Sequence, residues 1–184
     1  MKDTMGIIMT GGRHPGLKEL SAMRSSSATP VGGKYRAIDF PLSNMVNSGI
    51  TNIGVITQYS FRSLMDHLGS GKEWDLDRKN EGLFIFPPSL SIDDTGWYKG
   101  SADAIYNNLT YLKRSTEEYV LIAQGNCVYK MLFDDMLDYH KNVNADITIA
   151  YREMNDFSLE DISRLGVMKL DDSGRVTDLQ EKPL

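Results

Sequence analysis

The chain has 184 residues, of which 41% are hydrophobic, and this length and apolar content suit a single domain with a sizeable core. Its net charge of −5 and its pI near 5.2, without a run of Lys or Arg, argue against nucleic acid and against an anionic membrane as partners. One cysteine excludes an internal disulfide, and no apolar run approaches the roughly 20 residues that span a bilayer, so we expect a cytoplasmic protein without a signal peptide.

Short apolar runs alternate with helical patterns along the chain. We predict strands at residues 5–9, 53–56, 83–86, 119–123 and 147–150. Runs that are apolar on both faces are typical of parallel strands held between two helix layers. The pattern therefore predicts an α/β fold with a mostly parallel sheet, right-handed crossovers and helices on both faces.

Three of the predicted helices have recognisable ends. Asp39 is expected to cap a short helix that Gly49 terminates in a left-handed conformation. Ser101 is expected to cap a second helix, and Asp134 a third that runs towards Val143.

The spacing of apolar residues changes in the last part of the chain. Residues 171–174 form a turn sequence between two alternating runs, 167–170 and 175–179, which predicts a β-hairpin. The aperiodic stretches 69–82 and 87–96 are predicted to be surface loops, and loops of this length often serve a site.

Glycine and polar residues follow three of the predicted strands. Gly11 and Gly12 follow the first, Gln58 and Tyr59 the second, and residues 125–127 the fourth. Ligands of parallel α/β sheets bind beyond the carboxyl ends of the strands, where glycines let backbone N–H groups close around a phosphate. These positions favour a phosphorylated ligand, although the glycine pair by itself is equally consistent with a plain tight turn.

Two further segments carry candidate ligand contacts. Residues 32–44 combine glycines, cations and a helix start, which favours an anion, while the alternative is a structural ion pair between Arg36 and Asp39. Trp97 and Tyr98 precede a helix and either stack on a base or sugar, or pack within the protein.

The remaining reactive residues give weaker signals. Glu181 and Lys182 place a carboxylate and an ammonium at a strand end, which suits sugar hydroxyls and a phosphate but also describes a solvated pair. Cys127 has no adjacent base, so we expect a buried, inert thiol. The histidines are scattered, without spacing that suggests a metal site: His14, His67 and His140.

Taken together, these residues resemble the N-terminal half of ADP-glucose pyrophosphorylase, the glucose-1-phosphate adenylyltransferase family of bacterial glycogen synthesis. The segments that carry the resemblance are 32–44, 47–50, 57–59, 74–78, 97–100, 129–131, 137–140 and 181–183. It implies one Rossmann-like nucleotidyltransferase domain over residues 1–184, Mg²⁺-dependent transfer of AMP from ATP to glucose 1-phosphate, and a homo- or heterotetramer. It also implies a truncated chain, since the family's C-terminal left-handed β-helix is absent from this sequence.

The resemblance assigns ligand contacts position by position. Three positions match nucleotide contacts: Gly11, Gly12 and Gly100. Four match glucose 1-phosphate contacts: Tyr98, Gly166, Glu181 and Lys182.

Three positions depart from the family pattern. Gly16 stands where the family has an arginine that binds the triphosphate, Ser26 where it has a lysine, and Asn126 where it has an aspartate that holds Mg²⁺. An amide is a poor substitute for a carboxylate on this hard cation. Because losing one preorganised electrostatic group typically costs about 10²–10³ in rate, no intact catalytic set is expected, and neither is a metal site.

This combination predicts a subunit that binds ligands but is catalytically impaired. It is similar to the non-catalytic second subunit that some Gram-positive bacteria pair with an active ADP-glucose pyrophosphorylase chain. The leading hypothesis is therefore a regulatory role, with a catalytic subunit or a copy of itself as partner. The alternatives are an active enzyme in which Asp103 or Asp134 recruits the metal, and an unrelated dinucleotide-binding or scaffold domain.

Overall fold

The computed structural model describes residues 1, 3–11, 15–88, 97–153 and 158–183. They fall into two compact units, Met1–Asn144 and Ala145–Leu184. The first unit is built on a parallel sheet, and the second contains an antiparallel hairpin. The predicted α/β class is confirmed. No helix in the described ranges has the length and apolar content needed to cross a membrane.

The strands of the first unit form two sheets. In chain order they are β1 (Thr4–Met9), β2 (Pro30–Val31), β3 (Tyr35–Arg36), β4 (Asn52–Ile56), β5 (Gly82–Phe86) and β6 (Tyr119–Gln124). The main sheet has the order β5-β4-β1-β6, and every neighbouring pair in it is parallel. Strands β2 and β3 form a separate antiparallel pair. The carboxyl ends of β1, β4 and β6 therefore meet at one edge.

Helices cover both faces of the main sheet. They are α1 (Asp39–Asn47), α2 (Arg62–Leu68), α3 (Ser101–Asn107), α4 (Leu109–Arg114) and α5 (Asp134–Asn142). Successive side chains of a strand point to opposite faces. Ile8 of β1 accordingly packs in one buried cluster with Leu42 of α1 and Leu64 of α2, whereas Ile7 packs in another with Ala104 of α3.

The three predicted helix caps are each one residue out of place. Asp39, Ser101 and Asp134 are the first residues of their helices, and Ile38, Gly100 and Phe133 occupy the cap positions. At Asp39 the physical reason is a competing hydrogen bond, because its carboxylate accepts the backbone N–H of Arg36 at 3.0 Å rather than one inside the helix. The predicted left-handed end of α1 is confirmed by the φ of +76° at Gly49.

One of the predicted strands is wrong, and one of the predicted loops is anchored to the fold. Residues 147–150 form no strand in the described structure: Ile147 is 79% exposed, and an apolar run without a ladder partner cannot satisfy its backbone groups as a strand. Most residues of the predicted surface loop 69–82 are exposed, and the loop is anchored where Leu76 is buried and where Trp74 Nε1 donates to Ser43 Oγ at 3.0 Å. Of the predicted loop at 87–96, residues 89–96 lie outside the described residues.

The second unit contains the predicted hairpin. Its elements are α6 (Leu159–Ile162), β7 (Gly166–Leu170) and β8 (Val176–Glu181). Strands β7 and β8 pair antiparallel, with Gly166 opposite Glu181. The carboxylate of Asp171 accepts hydrogen bonds from Ser173 and from the N–H of Arg175, which hold the turn and lower the pKa of Asp171.

Candidate functional site

A cleft of about 160 Å³ opens at the carboxyl edge of the main sheet. Its walls are the ends of β1, β4 and β6 together with the start of α3. The lining residues are Met9, Thr10, Gly11, Ile56, Thr57, Gln58, Tyr98, Gly100, Ser101, Ala104 and Gln124. None of these described residues carries a charge, and the contacts that they offer a ligand are hydroxyl, amide, backbone and apolar contacts.

Hydrogen bonds between elements hold the mouth of the cleft. Gln58 Nε2 donates to the backbone carbonyl of Tyr98 at 3.0 Å, which ties the end of β4 to the segment before α3. Asn108 Nδ2 donates to the Tyr98 hydroxyl at 3.2 Å. Thr10 Oγ1 donates to the carbonyl of Ile56 at 3.0 Å, which joins the ends of β1 and β4. Tyr98, predicted from the sequence, is therefore positioned in the cleft by several partners.

The Asn108 contact was missed by the sequence analysis. The available signal was an amide residue four positions after Ala104, in a helical stripe that is otherwise apolar. Gln124 was missed as well. It is the last residue of β6, and its place at the carboxyl end of an apolar run was the signal.

Trp97 stacks on another side chain of the protein. Its ring lies 4.8 Å from that of Tyr59, with 20° between the two planes. Both rings remain about half exposed, at 53% for Trp97 and 46% for Tyr59. The contact of Trp97 in the structure is therefore the second alternative, packing within the protein.

The turn after β1 brings two of the three departing positions together at Gly11. A β-carbon at position 11 would lie 3.0 Å from Ser26 Oγ and 3.4 Å from Asn126 Nδ2. Ser25 Oγ donates to the Gly11 carbonyl at 2.9 Å and also caps the 3-10 helix Ser26–Ala28. A side chain at position 11 would therefore force at least one of these two polar side chains to shift by a few tenths of an ångström.

The same 3-10 helix packs against the end of β6. A β-carbon at Gly125 would lie 2.9 Å from Ser27 Oγ, closer than real side chains approach. The hydroxyls of Ser27 and Thr29 are buried, and neither has a hydrogen-bond partner within the described ranges. Positions 11, 26 and 126 are thus held by direct packing of the β1 turn, this helix and the β6 turn.

The expectation that Cys127 in the turn after β6 is buried is wrong. This residue is exposed rather than buried, because it lies where the chain leaves the edge of the sheet. Its Sγ lies 3.7 Å from Asn126 Oδ1, as a weak donor to that amide oxygen.

Two residues further on, Asn44 Nδ2 donates to the Tyr129 carbonyl at 3.0 Å, and burial raises the pKa of the Tyr129 phenol.

The remaining nucleotide positions are placed apart or not described. Gly16 lies exposed in the 3-10 helix Pro15–Ser21. Gly12 lies outside the described residues. Gly100 has extended backbone and lines the cleft, and a β-carbon there would meet no atom within 4 Å.

Within the segment 32–44, Arg36 and Asp39 contact α2, and neither lines the cleft. The guanidinium of Arg36 donates to the carbonyl and the hydroxyl of Ser63, and burial, followed by the charge of Arg24, lowers the pKa of Arg36. The carboxylate of Asp39 lies 2.6 Å from His67 Nε2. The side-chain ion pair considered between Arg36 and Asp39 is therefore replaced by separate partners on α2.

Three of the predicted sugar-phosphate positions come together within the second unit. A β-carbon at Gly166 would lie 3.1 Å from Glu181 Oε2, and Glu181 Oε1 lies 3.7 Å from Lys182 Nζ. Lys182 has a φ of +50°, and its N–H donates to the Leu165 carbonyl at 2.9 Å. A left-handed, non-glycine residue is uncommon and is often found at functional sites.

Comparison with known proteins establishes the family. A model of the nucleotidyl transferase family matches residues 5–184. The chain belongs to the nucleotidyl transferase family. It is 44% identical over 182 residues to the glucose-1-phosphate adenylyltransferase of Clostridium novyi, 46% over 183 residues to that of Thermotoga maritima, and 43% over 182 residues to that of Bacillus subtilis.

The matches cover nearly all of this chain but less than half of each relative. They cover 99–100% of this nucleotidyl transferase chain but only 47%, 43% and 47% of the three relatives. The chain therefore spans less than half the length of the curated relatives it matches.

The donors at the Gly11 turn do not fit the magnesium ion that the family resemblance implies. Asn126 offers a neutral amide and Ser26 a neutral hydroxyl, whereas Mg²⁺ is usually held by one or two carboxylates. Nowhere in the part of the chain that the structure describes do three or more His, Cys, Asp or Glu residues cluster as metal ligands. Asp103, the proposed replacement, uses its carboxylate to accept the N–H of Lys99 at 2.8 Å.

Proposed function

We propose that this nucleotidyl transferase chain is a regulatory subunit in ADP-glucose synthesis for glycogen. It binds the phosphorylated ligands of glucose-1-phosphate adenylyltransferases, has little or no catalytic activity of its own, and changes the rate of a catalytic partner subunit in a hetero-oligomer. The observation that carries this proposal is the meeting of two neutral side chains, Ser26 and Asn126, at the Gly11 turn.

The missing charge at these two positions is the physical reason to expect little catalytic activity. Transfer of AMP from ATP builds negative charge on the phosphates, and enzymes of this kind neutralise that charge with cationic side chains and a bridging metal. A hydroxyl in place of a lysine and an amide in place of an aspartate remove both means of neutralisation. Gly16 adds a third loss, because it stands where the family resemblance places an arginine.

Ligand binding depends on a different set of residues. Tyr98 is fixed in the cleft by Gln58 and Asn108. In the second unit, Lys182 supplies an ammonium for a phosphate, and the neighbouring Glu181 supplies a carboxylate that accepts hydrogen bonds from sugar hydroxyls. This division supports a subunit that keeps sugar-phosphate contacts after losing the charges for transfer.

The active-enzyme alternative requires another acid near the Gly11 turn. Asp103 is a poor candidate because its carboxylate is engaged with Lys99 and Asn107 at the start of α3. Asp134 is the first residue of α5 and lies exposed. No specific contact of either carboxylate favours metal recruitment, and the family match removes the unrelated dinucleotide-binding or scaffold alternative.

The test is to express this chain together with the catalytic glucose-1-phosphate adenylyltransferase of the same organism. We expect the two to co-purify, and we expect the mixed assembly to release pyrophosphate from ATP and glucose 1-phosphate at a rate different from that of the catalytic chain alone. Separate purification of the two chains, together with an unchanged rate at every mixing ratio, would refute the regulatory role.

A further inference from the structure

We propose that this chain binds the phosphates of its nucleotide without a divalent cation, and therefore takes free ATP rather than the magnesium complex. This inference rests on the proposed function, because it concerns the ligand of the same Gly11 turn. It follows from the disagreement between the family's metal and the donors that the structure places there.

The first step is the orientation of the Asn126 amide. Its oxygen faces the Cys127 thiol at 3.7 Å. Its nitrogen faces the Gly11 turn, 3.4 Å from where a β-carbon of residue 11 would lie. The amide therefore presents its N–H donors, rather than its carbonyl oxygen, to the turn. A donor binds a phosphate oxygen directly and cannot serve as a metal ligand.

The second step is the Ser26 hydroxyl, which lies on the same side of Gly11 at 3.0 Å from that β-carbon position. Ser26 is only 2% exposed, and its hydroxyl carries no charge. The exposed Asn126 amide nitrogen is therefore the donor available to a phosphate, beside a neutral Ser26 and a glycine turn.

The third step is the charge balance. Where a carboxylate stands beside a phosphate, the two anions repel each other, and a cation is needed before both are held together. Among the described residues, neither the lining of the cleft nor the two side chains that contact Gly11, Ser26 and Asn126, includes an acid, so that repulsion is missing. A Mg²⁺ ion on the phosphates therefore gains no favourable contact with a carboxylate here. Its removal should change the affinity of the chain for ATP only a little.

The experiment titrates the 184-residue chain with ATP by calorimetry, once in EDTA and once in excess Mg²⁺. We expect the two dissociation constants to agree within about threefold, which corresponds to less than 1 kcal/mol. Asn126→Asp restores the acid, so its affinity in EDTA should fall by roughly tenfold or more and recover when Mg²⁺ is added. Mn²⁺ resonance spectra of the same two proteins should show ion binding only in N126D.

Asn80→Asp is the matched control, since it makes the same charge change at an exposed residue before β5, at the opposite edge of the sheet. This variant should bind ATP like the parent chain in both buffers. Magnesium-dependent binding by the parent chain would overturn the inference, and so would the absence of ATP binding in both buffers. Magnesium-dependent binding would leave the proposed function intact, whereas the absence of ATP binding in both buffers would also remove its ligand-binding part. The regulatory part is tested separately, by co-purification with the catalytic chain and by the rate of the mixed assembly.

Discussion

Single atoms at the β1 turn decide what this site is able to do. With glycine at position 11, the backbone lies against Ser26 Oγ and Asn126 Nδ2, and neither side chain carries a charge. A β-carbon at 3.0 Å from the hydroxyl forces the neighbours to move by a few tenths of an ångström. The identity of residue 11 and the chemistry of its two neighbours are therefore coupled.

Gly11→Ala is the corresponding prediction at this scale. Overpacking a close contact should destabilise the chain by about 1–2 kcal/mol, measured as the midpoint of denaturant unfolding. Gly100→Ala is the control, because Gly100 has extended backbone and open space around it, and we expect a change within about 0.5 kcal/mol. Equal effects of the two substitutions would contradict the packing described at the β1 turn.

A second residue-scale prediction concerns acid stability. Partial burial opposes ionisation of Glu117, but hydrogen bonds from Ser115 and Asn52 outweigh it and lower the pKa of this carboxyl below its usual 4.5. A lowered pKa stabilises the folded state above the unfolded value, and this stability is lost as the pH falls through the folded value.

Glu117→Gln should therefore lower the melting temperature at pH 7, and the difference from the parent should shrink as the pH falls below 4.5. The neighbouring, exposed Glu118→Gln serves as the charge-matched control and should show a smaller difference at pH 7. A gap between parent and E117Q that stays constant from pH 7 to about pH 3 would contradict this assignment.

At the scale of elements, one carboxylate joins two helices. Asp39 begins α1, accepts the N–H of Arg36 and lies 2.6 Å from His67 Nε2 on α2. It is buried, so its partners are not replaced readily by water. Removing one partner of such a contact leaves the other buried polar groups without a hydrogen-bond partner.

Asp39→Asn keeps the shape of this side chain and removes its charge. We expect a loss of about 1–3 kcal/mol in the free energy of unfolding, because the hydrogen bonds from Arg36 and His67 weaken together. Asp135→Asn, in the exposed first turn of α5, should change it by about 0.5 kcal/mol or less. Similar values for the two variants would show that Asp39 does not join α1 to α2.

The elements also show what the sequence predicts and where it fails. Four strands and the hairpin were predicted because apolar runs and turn residues act locally. The strand expected at 147–150 failed because a strand depends on a ladder partner, which periodicity does not report. The exposure of Cys127 and the anchoring of Leu76 were missed for a related reason, since both depend on where the chain leaves or re-enters the sheet. In the site, sequence position indicated Gly11 and Asn126, but their meeting with Ser26 required the fold.

At the scale of the whole molecule, the described core lies entirely in the first unit. All its fully buried hydrophobic side chains fall between Met5 and Phe133. The second unit has its own hairpin, with several exposed apolar residues. The stability of the first unit should therefore come from its own sheet and helices.

Removing residues 145–184 tests this assignment. The remaining fragment should still unfold cooperatively, with a melting temperature within about 5 °C of the full chain, measured by circular dichroism. A fragment that lacks a cooperative transition would show that the core needs the second unit.

The central claim concerns charge at the Gly11 turn, and one measurement tests it most directly: the rate of pyrophosphate release from ATP and glucose 1-phosphate in Mg²⁺, for the parent chain and for the triple variant Gly16→Arg, Ser26→Lys, Asn126→Asp. Because each restored electrostatic group is worth about 10²–10³ in rate, the variant should exceed the parent by at least about 10²-fold. Equal rates in the two proteins, whether high or at background, would contradict the account.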